Sequence, residues 1–106
     1  MGVFNKFIII DDEEGKALII AKCTYHKQLA HDTNTIKGGG MWYYIDDNKT
    51  IVLHGESYDF GPAKLSDIKE CIENNNVYTS YTKHNNISDK FEFKYQNVYK
   101  ELIKLK

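Results

Sequence analysis

Four histidines, His26, His31, His54 and His84, supply side chains that titrate near neutrality. One short loop gathers the other reactive groups: HGESYDFGPAK, residues 54–64. Gly55 and Gly61 flank Glu56, Ser57, Tyr58, Asp59 and Phe60, and the single proline of the chain, Pro62, follows. A strand that ends at a glycine and feeds a helix exposes several backbone N–H groups. With the helix N-terminus these form an anion nest, and Ser57 adds a hydroxyl donor. Glu56 and Asp59 oppose an anion, since a like charge at ~4 Å costs about 1 kcal/mol in bulk water and a few times that near a protein surface. A tight strand-to-helix connection accounts for the same residues with no ligand.

The remaining groups narrow the chemistry. On an ideal helix His26 and His31 are about 500° apart, so they are not a metal pair. His54 and Glu56 share a strand face with Asp59 close by, but no second histidine or cysteine stands at a metal-ligating spacing. His84 lies in an Asn-rich loop and reads as solvated. Cys23 and Cys71 form no CxxC pair and read as free, buried thiols. No metal or cofactor is expected. All 14 basic residues are lysines, so an anion site must use Lys, His, hydroxyls or backbone N–H groups. A net charge of -1 argues against a general electrostatic grip on nucleic acid or anionic membrane. Trp42, Tyr43 and Tyr44 lack a basic groove beside them and read as core and sheet surface, not a base-stacking platform. The apolar runs Phe7–Ile10 and Ala17–Ala21 are too short for a signal sequence or a membrane span, so the cytoplasm is expected.

The elements that must position these groups follow from periodicity. Residues 3–10 (VFNKFIII) and 16–23 (KALIIAKC) read as strands joined at DDEEG. Thr24 is a candidate cap for a short helix with Tyr25, Leu29 and Ala30 inward, ended near Asn34. KGGG (37–40) reads as a breaker. MWYYI and TIVLHG flank DDNK as a hairpin, with Met41, Tyr43 and Ile45 on one face and Trp42 and Tyr44 on the other. Residues 62–76 predict an amphipathic helix bearing Leu65, Ile68, Cys71 and Ile72. Pro62 suits its first turn, Ser66 is an alternative cap, and Asn74–Asn76 stop it. VYTSYT (77–82) and FEFKY (91–95) alternate as strands, and NVYKELIKLK predicts a short terminal helix with Val98, Leu102 and Ile103 or Leu105 inward. The 106 residues fit one domain, 1–106. The class is α+β: a mixed, mainly antiparallel sheet of about six strands with two main helices. A monomer is the default expectation.

Taken together these pieces resemble the phosphohistidine phosphatase family, the Janus/Ocnus-type small phosphatases. The matching string is Gly38–Gly40, a strand, a polar turn, the strand IVLHG, Ser57, then Gly61–Pro62–Ala63 before a helix. Upstream, KCTYHKQLAHD is similar to the family's helix that begins just before its essential histidine, which puts His26 on the catalytic position. KFIII is similar to the family's first strand, which opens with a functional lysine, here Lys6. The resemblance covers about residues 3–82.

The resemblance implies a metal-independent hydrolase that removes phosphate from phosphohistidine in a protein partner, with phosphoramidate and phospholysine as related substrates. His26 would be the general base and Lys6 the countercharge. The N–H groups of Ser57, Tyr58 and Asp59 and the Ser57 hydroxyl would cradle phosphate, with Gly40 allowing its close approach. His26 as direct nucleophile is a variant on the same position. A P–N bond is labile once its nitrogen is protonated, so positioned donors and a base suffice. Three features depart from the family. Its arginine after GGG is Met41 here, Glu56 and Asp59 stand beside the phosphate position, and the stretch between His26 and GGG spans only 27–37. These departures carry a second expectation, a non-catalytic module on the same fold that binds a phosphoprotein or another partner.

Overall fold

A computed structural model describes residues 2–105 of the chain; Met1 and Lys106, which the expected domain includes, lie outside the described residues. Seven strands form one mixed sheet: β1 (Phe4–Asp12), β2 (Gly15–Cys23), β3 (Ile36–Ile45), β4 (Thr50–His54), β5 (Val77–Tyr78), β6 (Glu92–Gln96) and β7 (Leu102–Lys104). Their order is β5-β2-β1-β3-β4-β6-β7. Four pairings are antiparallel and two, β2 with β5 and β4 with β6, are parallel. The class is therefore α+β with a mainly antiparallel sheet, as the strand patterns predict. No helix among the described residues is long and apolar enough to cross a membrane.

The continuous runs FIII and ALII reflect burial on both sheet faces. Phe7, Ile9, Leu18 and Ile20 pack with Ile51, Leu53 and Phe93 against Ile68, Cys71 and Ile72 of the helix α1 (Leu65–Glu73). Burying Ile68 and Ile72 stabilises by about 1.5–3 kcal/mol each. Ile8, Ile10, Ala17 and Ile19 face the other way, onto Cys23, Leu29 and Ile36. The hairpin of β3 and β4 has the expected faces: Trp42 packs on the helix side and its Nε1–H donates to Ala21 O (3.2 Å).

Several expectations are corrected. Only one α-helix occurs among the described residues. Residues 24–35 form two 3₁₀ turns, His26–Leu29 and Thr33–Thr35. Local side-chain bonds explain this. The Thr24 and Tyr25 N–H groups both donate to Gln28 Oε1 (2.9 Å each), and Asn34 N–H donates to Asp32 Oδ1 (2.9 Å). Leu29 is buried as expected; Tyr25 is exposed. At the other end of the chain the predicted helix is a turn followed by β7. Asn97 Oδ1 captures the N–H groups of Tyr99 and Glu101 (3.0 Å each), and β6 offers an open edge to Leu102–Lys104. Val98 is 88% exposed and Leu102 is exposed, while Leu105 is buried. Of residues 77–82 only Val77–Tyr78 is a strand. Helix α1 is capped at Lys64 without a side-chain bond, so neither Pro62 nor Ser66 starts it; Pro62 instead bridges Gly39.

The glycine run is not a breaker. Gly38, Gly39 and Gly40 lie inside β3. A Cβ on Gly38 would strike the Pro62 carbonyl, one on Gly39 the Phe7 carbonyl, and one on Gly40 the His54 carbonyl. Gly38 also has φ +136 at the register shift between β1 and β3. The entropy cost of three glycines is accepted because neighbouring backbones occupy the side-chain space. Gly39→Ala is therefore expected to lower stability by about 1–3 kcal/mol in urea unfolding. An unchanged midpoint would contradict the close approach.

Candidate functional site

Lys6 lies in β1 between Ala21 of β2 and Met41 of β3. Alternation puts it on the same face as Ile8 and Ile10, the face covered by residues 24–35. Its Nζ rests 3.8 Å from Met41 Sδ and 5.5 Å from the centre of the Phe4 ring. No carboxylate among the described residues pairs with this ammonium.

His26 opens the first 3₁₀ turn and is only 6% exposed. Its Nε2 stands 2.8 Å from Gly40 O. A carbonyl only accepts, so Nε2 carries the hydrogen and donates it; in the neutral ring the lone pair is then on Nδ1. Burial pushes the imidazole below its usual 6.5; the bond to Gly40 opposes this, Lys6 adds to it, and Asp59 opposes it weakly. The group is held neutral near physiological pH, the state a general base needs.

The loop after β4 supplies the opposite wall. Ser57 N–H donates to Gly39 O (3.0 Å) and Gly61 O (3.2 Å), and Gly61 N–H returns a bond to Ser57 O (2.9 Å). Ser57 Oγ accepts from Phe60 N–H (3.2 Å). Ser57 is 2% exposed and serves as the loop's anchor, so the expectation that its amide holds phosphate is corrected. The N–H groups of Tyr58 and Asp59 donate to no other group among the described residues and remain available.

Lys6, Thr24, Tyr25, His26, Met41, Glu56, Tyr58 and Asp59 line one cleft of about 500 Å³. Four of the expected site residues, Lys6, His26, Tyr58 and Asp59, thus meet. Gly40 contributes through its carbonyl, which orients His26. Sequence assigns Thr24 and Tyr25 no role in this wall beyond adjacency to His26, whereas Glu56 stands beside the site as expected. Met41 occupies the wall beside Lys6 without adding a charge.

The other reactive groups lie elsewhere. His54 stacks on Tyr43 (5.5 Å between centroids), and burial lowers its pKa. His31 packs edge-on against Tyr81 (3.9 Å). No trio of His, Cys, Asp or Glu among the described residues is arranged to hold a metal ion. Cys23 and Cys71 are free and buried; burial, with Glu70 and Asp67 nearby, pushes the Cys71 thiol up to about 12, which leaves it protonated and inert.

The His26 ring is expected to titrate with a midpoint below 6.5 by NMR. A depressed folded-state pKa means that folding favours the neutral ring. Its contribution to stability is fully present above the unfolded value and is lost as pH falls through the folded value. Stability should therefore drop as pH falls below about 6.5, His54 acting in the same direction. A midpoint at or above 6.5 would contradict the buried neutral base. Comparison with family models, curated proteins and solved structures finds no match to this chain.

Proposed function

We propose that the chain is a metal-independent phosphohistidine phosphatase that hydrolyses the P–N bond of N-phosphorylated histidine in a protein partner. The observation that carries this reading is that Lys6 of β1 and His26 of the first 3₁₀ turn line one cleft with Tyr58 and Asp59, whose amides have no partner among the described residues. Lys6 supplies the cation for the phosphoryl oxygens and the two amides supply oriented donors. Water attacks phosphorus as the P–N bond breaks. His26 Nδ1 takes the proton of the attacking water, and the leaving nitrogen keeps the P–N electron pair, the other ring nitrogen already carrying a proton from solvent, so that neutral imidazole is released. The products are inorganic phosphate and histidine. The bond from Nε2–H to Gly40 O selects the tautomer whose lone pair is on Nδ1 and steadies the imidazolium as it forms.

A second reading is favoured by specific residues. Glu56 and Asp59 line the same cleft, Met41 adds no charge, and the Ser57 amide is engaged by Gly39. These suit a module that binds a partner without turnover.

Hydrolysis of a phosphohistidine peptide in EDTA separates the two. Turnover by the wild type is expected. His26→Asn, which keeps an N–H donor, should lower kcat/KM about 10²–10⁴-fold. Lys6→Met should lower it about tenfold to a hundredfold. Both variants should be checked for native circular dichroism. No turnover by folded wild type would leave the binding module, and full activity in His26→Asn would remove His26 as the base.

A further inference from the structure

We propose that Tyr58 is the specificity-determining residue of this cleft, its ring stacking on the imidazole of the substrate; this rests on the hydrolase reading above. Tyr58 is 100% exposed although it sits on the wall of the cleft. An aromatic ring left wholly in water gains nothing for folding, and an exposed aromatic at a site is the common form of a contact residue.

The loop that carries it is not loose. Ser57 and Gly61 exchange two backbone bonds, Phe60 N–H is held by Ser57 Oγ, and Ser57 N–H is tied to Gly39 inside the sheet. Two residues on, Phe60 turns inward and packs on the core beneath residues 24–35. The same short loop thus packs one ring, half-buried, against the core and leaves the other in water. A ring presented on a pinned backbone loses little conformational freedom when it meets a ligand.

What suits such a ring here is a flat heterocycle that becomes cationic. The phosphorylated imidazole departs readily once its other nitrogen is protonated, so the reacting ring is a cation until the P–N bond breaks, and a cation is attracted to the face of an aromatic ring. Asp59 and Glu56 stand beside Tyr58 in the same wall, where their charges oppose the phosphate but favour a protonated leaving ring. An aliphatic amine or ammonia as leaving group offers no face to stack. The ligand class is therefore an N-phosphorylated imidazole, ahead of phospholysine or simple phosphoramidate.

The test compares kcat/KM for a phosphohistidine peptide with that for phosphoramidate, which has no ring. Tyr58→Ala should lower the ratio of the two about tenfold, mainly through KM for the peptide, and Tyr58→Phe should restore it. A ratio that does not move in Tyr58→Ala overturns the proposal. A second measurement needs no turnover: titration of free imidazole at high millimolar concentration, followed by the ring resonances of Tyr58. An upfield shift supports the stack, even where the wild type hydrolyses neither substrate and the hydrolase reading falls. No shift overturns the stack, even where the enzyme is active.

Discussion

The bond from His26 Nε2–H to the Gly40 carbonyl forms because residues 38–40 of β3 carry no side chains. The same bare stretch of backbone serves three neighbours. Gly39 O accepts from Ser57 N–H, Gly39 N–H donates to Gly61 O (3.0 Å), and Pro62 bridges Gly39. A Cβ on Gly39 would also stand 3.1 Å from His26 Cδ2. One strand segment thus seats the imidazole on one side and the loop 57–61 on the other. The distance between the two walls of the cleft is set by how closely backbone can approach backbone, which side chains at 38–40 would prevent.

The electrostatics of the cleft follow from that seating. Burial keeps His26 neutral, and Lys6, on the same face of β1, reinforces this by repelling a second positive charge. The bond to Gly40 works against both, since a carbonyl acceptor favours the protonated ring. A base of this kind gives up proton affinity but is ready at neutral pH, and it is steadied once it takes a proton. Asp59 and Glu56 give the opposite wall a negative character that the Tyr58 and Asp59 amides only partly offset. The cleft is therefore polarised, cationic toward β1 and carrying two carboxylates toward the loop.

Strands were the most legible part of the fold. Unbroken apolar runs at Phe7–Ile10 and Leu18–Ile20 and the hairpin of Met41–His54 carry strong local patterns, as do Ile68, Cys71 and Ile72 in the helix. The two segments misread as helices share one physical cause, competition between side chains and backbone for the same N–H groups. Gln28, Asp32 and Asn97 each draw off amides that a helix would have used. The glycine run was misread for a different reason. Its meaning depends on Phe7, His54 and Pro62, residues distant in sequence whose carbonyls fill the space a Cβ would need.

The amino-acid sequence by itself determined the α+β class, the principal strands and helix, and the chemical inventory: a lysine in the first strand, a histidine just after the second, and a loop rich in donors and carboxylates. Those follow from local periodicity and residue type. Tertiary structure alone decided which atoms meet. It committed the Ser57 amide to Gly39, turned the Gly40 carbonyl into the orienting partner of His26, and left the Tyr58 ring in water on the wall of the cleft. A hydrogen-bonding group has several possible partners in a chain, and only the packed backbone settles which of them it takes.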